Sequence, residues 1–346
     1  MIPNFIFPAP PAAGVTFEVA PGIHWLRMPL PFALDHINLW LLEDEVDGRV
    51  GWAIVDTGFA LDVVKEYWEK ILAQLAAGPR GGHITRLIVT HFHPDHLGLA
   101  AWLAEKTGAA IYMSLGEYLT AHAVWNEIGG HGSAAMLRQF RAHGLEEERC
   151  AALKQRSGGY NRGVPQLPDS YQRLFDGDQL QLGRYPWRVR MGFGHSPEHV
   201  SLYCAPLGVL ISGDMLLPKI STNISVFAVT PMADALADYL ASIDRYRDLP
   251  EETRVLPSHG LPFYGVRGRV EALHAHHKER LLILEENCVL PRSAAELLSV
   301  LFARELDTHQ TMFAMGEAIA HLNRLEHAGR IVRIQGDDGV IRFVRA

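Results

Sequence analysis

Short apolar and β-branched runs at positions 23–27, 37–42 and 52–55 predict three strands, and Asp56-Thr57-Gly58 closes the third as a turn. Apolar residues recur at helical spacing over 61–77, which predicts an amphipathic helix. The run 87–89 predicts a buried strand, 98–107 a helix stopped by Gly108, and 109–113 another short strand. Strand and helix alternate, as in α/β layers. Residues 1–20, rich in Pro and Ala, predict irregular chain.

Residues 114–168 break this rhythm. Helices are expected over 116–125, 133–142 and 145–156, interrupted by Gly129-Gly130 and ended by Gly158-Gly159, with a loop through Asn161, Pro165 and Pro168 behind them. The insertion is placed to form a lid or pocket wall. Trp125, Met136, Arg156 and Tyr160 are its candidate substrate contacts, with plain packing as the other role for each. From 174 the pattern is β-rich again, at 179–182, 187–192, 201–205 and 209–211. A helix is expected over 271–286, with His274, His276 and His277 near its start, on an exposed face or supporting the His259 loop. Beyond Pro291, helices at 294–302 and 315–327 precede a hairpin of 331–334 and 340–344 joined through Gly336-Asp337-Asp338-Gly339, which suggests a small winged-helix unit.

Apolar strand ends repeatedly deliver polar clusters. Thr90-His91-Phe92-His93-Pro94-Asp95-His96 follows one, Gly194-His195-Ser196-Pro197-Glu198-His199 a second, Gly213-Asp214 a third and Ser258-His259-Gly260 a fourth. Such ends are where an α/β scaffold holds its chemistry. On extended backbone His91 and His93 point the same way. Pro94 then breaks the chain, so Asp95 and His96 can offer a second set of ligands. Burying this many ionisable groups without metal or dense hydrogen bonding would be costly, so the segment reads as the start of two adjacent metal positions. Imidazole and carboxylate suit zinc, and also manganese or iron. Alone, His195, His259 or Asp214 reads more readily as structural.

Composition narrows the class. With 346 residues, 48% hydrophobic and 21% charged, the chain can build a large core and more than one domain. A formal charge of −7 argues against broad nucleic-acid binding, leaving only a local basic patch. Cys150, Cys204 and Cys288 make neither a disulfide framework nor a thiolate cluster. No apolar run reaches membrane-spanning length, and Met1-Ile2-Pro3-Asn4 lacks a basic leader, so a cytoplasmic enzyme is expected.

Val55-Asp56-Thr57-Gly58, Thr90-His91-Phe92-His93-Pro94-Asp95-His96-Leu97-Gly98, Gly194-His195-Ser196-Pro197, Ser212-Gly213-Asp214 and Ser258-His259-Gly260, in this order, resemble the metallo-β-lactamase-fold hydrolase superfamily. The resemblance implies a four-layer αββα sandwich over residues 1–285, carrying the helical insertion, and a winged-helix-like domain over 286–346. It implies two divalent ions: His91, His93 and His195 would hold one, Asp95, His96 and His259 the other, and Asp214 would bridge them. Asp56 would orient the metal loop, and His199, read as beginning a helix after Pro197, would cap or support rather than ligate. Asp95 would also orient a bridging hydroxide and pass a proton to the leaving group. His93 stands where flavodiiron relatives carry a carboxylate and Asp214 where true β-lactamases usually carry cysteine, so neither activity is expected. The tail around Ala318-Ile319-Ala320-His321-Leu322-Asn323-Arg324-Leu325 resembles the lactamase-like subgroup with a C-terminal winged-helix unit.

The first expectation is hydrolysis of a thioester or activated ester, as in glyoxalase-II-like members, with a small-molecule substrate whose thiol part is glutathione or coenzyme A. Lys219 and Asn223 are candidates to face an anionic group of it, or are ordinary loop residues. An endoribonuclease or phosphodiesterase is the alternative, and a lactonase the third. A non-enzymatic reading makes the tail a nucleic-acid binder through Arg324, Arg330, Arg333 and Arg342, diluted by Glu317, Glu326, Asp337 and Asp338. Packing on the hydrolase domain, or a homodimer contact, is the plainer role.

Overall fold

The computed structural model describes residues 3–155 and 158–346. Two seven-stranded sheets face each other. The first runs, in spatial order, Phe17–Ala20, Ile23–Pro29, His36–Val46, Arg49–Val55, Ile84–Ile88, Ala110–Met113 and Gln172–Arg173. The second runs Asn4–Phe5, Phe263–Tyr264, Arg254–Pro257, Val209–Gly213, His199–Cys204, Tyr185–Gly192 and Gln179–Leu182.

Period-two alternation builds the layers. Along His36–Val46, Ile37, Leu39 and Leu41 face an outer helical layer, whereas Trp40 and Leu42 face the opposite sheet. Each such side chain, fully buried, contributes roughly 1.5–3 kcal/mol relative to exposure. Asp62–Ala77 and Ala100–Thr107 cover the first sheet through Trp68, Ile71 and Leu103. Ala235–Asp244 and Val266–Asn287 cover the second through Leu236 and Val270, and Thr308–His327 packs on those two helices through Ile319. The result is an αββα sandwich with a C-terminal extension that ends in the hairpin Ile331–Gln335 and Ile341–Arg345.

A buried ion pair ties the sheets together. Arg86 Nε donates to Asp44 Oδ2 at 2.7 Å, while its Nη2 reaches Gln181 O of the other sheet at 3.3 Å. Two parallel pairings, Val55 with Ile88 and Gly213 with Pro257, make the carboxyl ends of those strands emerge at one edge.

Several expectations are corrected. The first twenty residues are not wholly irregular: Asn4–Phe5 pairs with Phe263–Tyr264, and Phe17–Ala20 with Ile23–Pro29. His199 opens a strand rather than a helix, because Ser196, Pro197 and Glu198 turn the chain back so that His199 pairs with Gly192. Gly159–Gly163 is a short helix, not loop. Only Leu298–Leu301 of 294–302 is α-helical. The helix carrying His274, His276 and His277 begins at Val266, so these lie in its middle, and His277 is buried against His321 rather than exposed or beside His259.

Within the insertion, Leu115–Trp125, Ser133–Ala142 and Glu147–Lys154 are helices. Ala121 joins the core on the first sheet, whereas Leu137, Phe140 and Leu153 join the core on the second, so the segment spans the sandwich edge. No helix among the described residues is long and apolar enough to cross a membrane.

Candidate metal centre

Strand ends on both sheets build the site. Arg49–Val55 delivers Asp56, and Ile84–Ile88 leads through Val89 and Thr90 to His91. Tyr185–Gly192, Val209–Gly213 and Arg254–Pro257 deliver His195, Asp214 and His259. One group joins His91, His93, His195 and Asp214, a second Asp95, His96 and His259, with potential ligand atoms of each group within 4.8 Å of one another. His91 Nε2 lies 2.9 Å from His93 Nδ1 and 3.2 Å from His195 Nε2. Asp214 stands between the groups: Oδ2 is 3.5 Å from His195 Nε2, and Oδ1 is 3.4 Å from His259 Nε2 and 3.6 Å from His96 Nε2. Asp95 Oδ2 is 3.5 Å from His259 Nε2 and 3.6 Å from His96 Nε2.

The 3.4–3.6 Å separations around Asp214 and Asp95 suit atoms sharing an ion better than hydrogen-bonded pairs. Tetrahedral bonds of about 2.0–2.1 Å place neighbouring ligand atoms about 3.4 Å apart. His96 Nε2 and Asp214 Oδ1 are buried without a hydrogen-bond partner, a costly state unless a cation lies between them. Five imidazoles and two carboxylates form a donor set that fits two divalent ions.

The rings are held from behind. His96 Nδ1 is 2.7 Å from Asp56 Oδ2, His195 Nδ1 2.7 Å from Asn223 O, and His259 Nδ1 2.8 Å from His36 O. A proton on each Nδ1 leaves the Nε2 lone pair facing the site. Asp56 sits in the left-handed region at φ 61°, and its Oδ1 accepts the Thr90 amide at 2.8 Å, which helps hold the strained turn. Gly213 is also left-handed, at φ 53°, and a Cβ there would come within 2.4 Å of the His199 ring. That close approach lets His199 Nε2 accept the Asp214 amide at 3.1 Å, so His199 fixes a backbone and belongs to neither group.

Charge follows the same division. Burial, reinforced by neighbouring imidazoles, holds His91 and His93 well below the usual histidine pKa, hence neutral. Burial also opposes charge on His96, yet Asp56, Asp95 and Asp214 push it up to about 10. His259 is raised against burial by Asp214 and Asp95. Burial opposes ionisation of Asp214, but His259 and His96 hold it well below the ordinary carboxylate range. The carboxylate side of the site therefore demands positive charge.

The substrate candidates fare differently. Tyr160 is largely buried and donates to Phe92 O at 2.7 Å. Lys219 places its ammonium 5.4 Å from the Phe5 ring centroid. Asn223 reaches the site through its carbonyl, while its side-chain amide donates to Ser225 Oγ at 3.1 Å. Trp125 Nε1 donates to Val164 O at 2.9 Å, and Met136 packs against the second outer core. Arg156 lies outside the described residues.

Sequence reading missed two residues. Asn38, fully buried, donates to Pro257 O at 2.8 Å and steadies the His259 loop; a lone amide in an apolar strand was its signal. Glu117, also fully buried, accepts from Phe92 N at 2.9 Å, Ser196 Oγ at 2.6 Å and Glu198 N at 2.7 Å. Nothing local in the sequence separates it from a surface helix glutamate.

The family model described as the metallo-beta-lactamase superfamily matches residues 34–259, and the metallo-beta-lactamase-like C-terminal domain matches residues 281–346. A solved beta-lactamase domain protein from Burkholderia ambifaria is 48% identical, with a TM-score of 0.90 over 99% of this chain and 97% of that one. The probable metallo-hydrolase YqjP of Bacillus subtilis is 24% identical over 87% of this chain and 91% of its own length. A hydroxyacylglutathione hydrolase from Albidiferax ferrireducens is 26% identical over 67% of this chain and 65% of its own.

Proposed function

The chain belongs to the metallo-beta-lactamase superfamily, and from that membership we propose that it hydrolyses an acyl thioester or a related activated ester. It is a metal-dependent hydrolase with a dinuclear metal-binding cluster. The observation that carries the substrate reading is the paired site, joined to similarity with a hydroxyacylglutathione hydrolase. We assign His91, His93 and His195 to one ion, Asp95, His96 and His259 to the other, and Asp214 to both. Zinc is our choice of metal, with iron or manganese as alternatives.

Bound divalent ions supply charge that polarises a carbonyl and makes water acidic enough to ionise near neutral pH. The protein's own groups do the rest. Asp56, Asn223 and His36 orient the His96, His195 and His259 rings. Asp95, whose side chain is 20% exposed against 11% for Asp214, is the carboxylate that meets incoming solvent and carries a proton outward. A thiol has a pKa of about 8.5, so a thiolate departs with little help from an acid. One partly exposed carboxylate suffices for that reaction.

The nucleic-acid alternative finds little support in the tail. Arg324 pairs with Asp234, Arg330 with Glu285, Arg333 with Glu326 and Arg342 with Asp338. Matched guanidinium groups make a poor phosphate-binding patch. We read the extension from about 286 as winged-helix-like, packed on the hydrolase, and the enzyme as cytoplasmic.

The test is a panel of acyl thioesters, lactones, phosphodiesters and single-stranded RNA, run on protein of measured metal content. Thioester turnover that stops with a chelator and returns with zinc, iron or manganese is expected. Cleavage of RNA or phosphodiesters with no thioester turnover would overturn the proposal.

A further inference from the structure

Residues 214–234 run from Asp214 to the helix Ala235–Asp244 without forming a helix or strand. Irregular segments this long inside a compact domain are uncommon and need outside support. This one matters because it holds a proposed ligand: His195 Nδ1 donates to Asn223 O at 2.7 Å. Its own start is tied too, since Thr222 Oγ1 donates to Asp214 O at 2.5 Å.

The support comes from the C-terminal extension. Gly316, Ala320, Asn323 and His327 share one face of the helix Thr308–His327, at spacings of four, three and four. Asn323, fully buried, donates through Nδ2 to Pro231 O and Ala233 O, each at 3.0 Å. His327 Nε2 donates to Met232 O at 2.8 Å. Arg324 Nη1 reaches Asp234 Oδ2 at 3.0 Å, while Asp234 Oδ1 accepts from Ala237 N at 3.1 Å and so caps the next helix.

At the other end of that face the contact is steric. A Cβ on Gly316 would lie 2.4 Å from Ser225 Oγ and 2.9 Å from Ser225 Cβ. Rotating the hydroxyl would relieve the first contact but not the second, so the loop would have to move. Ser225 Oγ in turn accepts from Asn223 Nδ2 at 3.1 Å. The path from extension to site is therefore short: Gly316, Ser225, Asn223, His195.

We infer that the Thr308–His327 helix positions His195, with Gly316 and Asn323 as its positioning residues, so that the extension completes the metal site rather than forming a separate binding module. This rests on the reading of His195 as a ligand. Outer hydrogen-bond partners of a ligating histidine are typically worth about ten- to a hundredfold in metal affinity. Displacing the Asn223 carbonyl should cost an amount in that range at the ion His195 holds and spare the ion that Asp95, His96 and His259 hold.

The test uses the full chain in four variants: His195→Ala, Gly316→Ala, Ser225→Gly and the double Gly316→Ala/Ser225→Gly. Stepwise affinities for zinc are read by competition with a chelating dye, and thermal unfolding is read on metal-free protein. His195→Ala should lose one ion. Gly316→Ala should weaken one of the two zinc affinities about tenfold or more, while the metal-free protein still unfolds in a cooperative transition. The double variant should recover it, because without the Ser225 side chain the added methyl meets only the Cα of that position, at 3.5 Å. Should Gly316→Ala not accumulate as folded protein, Asn323→Ala, which releases the Pro231 and Ala233 carbonyls of the loop, takes its place and should show the same selective loss. If His195→Ala keeps both ions, the ligand reading fails and takes this inference with it. If His195→Ala loses an ion while Gly316→Ala, or Asn323→Ala in its place, binds both ions as tightly as the parent, the positioning role alone is wrong. An equal loss at both ions, or no rescue by Ser225→Gly, also overturns it.

Discussion

Glu117 Oε1 accepts the Ser196 hydroxyl proton at 2.6 Å, joining the first helix of the insertion to the loop that carries His195. Its other oxygen accepts the amide of Phe92, between His91 and His93. One side chain thus ties together two loops that arise from different sheets. Burial pushes the carboxyl up to about 7, with the hydrogen bonds from Ser196, Glu198 and Phe92 opposing the rise.

Glu117→Gln preserves the shape but must turn an NH2 toward one of those donors. At least one buried N–H or O–H then lacks an acceptor, which costs about 1–3 kcal/mol. Urea unfolding of metal-free protein should lose stability of that order. An unchanged urea midpoint would show that the clamp is idle.

The two groups of ligands should separate by mutation. His259 belongs only to the group with Asp95 and His96, whereas Asp214 faces both. His259→Ala is expected to retain one ion and Asp214→Ala to hold both poorly, with turnover falling by more than about a hundredfold in each, beyond the usual effect of an outer partner. Metal content by plasma mass spectrometry decides this. Full occupancy in His259→Ala would remove it from the ligand set.

The sequence displayed the chelating residues because they are local: four of them fall within His91–His96, and the others stand just past apolar strands. What it hid depends on tertiary neighbours. Glu117 has the same sequence neighbourhood as an exposed helical glutamate, and only the fold buries it. Asn223 was legible as a polar loop residue, but its carbonyl does the work, and any residue type has one. The edge strands Asn4–Phe5 and Phe17–Ala20 are too short to show periodicity and exist through their partners. His199 was misplaced because Pro197 can start a helix as readily as it can turn a hairpin.

The Asp44–Arg86 pair gives a stability prediction remote from the site. Asp44 is fully buried and accepts from Arg86, Thr85 and Gly183. Asp44→Ala leaves a guanidinium uncompensated between the sheets, a loss of about 3–5 kcal/mol. Urea unfolding should register it while stepwise zinc affinities stay as in the parent. A loss below about 1 kcal/mol, as for a surface ion pair, would contradict the burial argument.

Acid should loosen the attachment of the C-terminal extension through His277 and His321. His321 Nδ1 donates to Glu317 O at 2.8 Å, so its Nε2 can accept from His277 Nδ1 at 3.1 Å, and both rings are neutral. Around them lie His276, Arg280, Glu317 and the Tyr239 ring, and His277 Nε2 has no hydrogen-bond partner. Burial lowers His321 to about 4 and, with His321 and His276 adding to it, His277 to about 2. In the unfolded chain both titrate near 6.5. The unfolded state therefore binds more protons below that pH, and stability present above about 6.5 is lost as the pH falls toward 4. At pH 5 each ring that stays neutral costs about 2 kcal/mol relative to neutral pH. The metal-site histidines also titrate, so the informative quantity is a difference. His277→Leu removes one titrating ring and should reduce the loss of unfolding free energy between pH 7.5 and pH 5 by about 2 kcal/mol. Parallel pH profiles for the two proteins, measured by urea unfolding without metal, would place the acid sensitivity elsewhere.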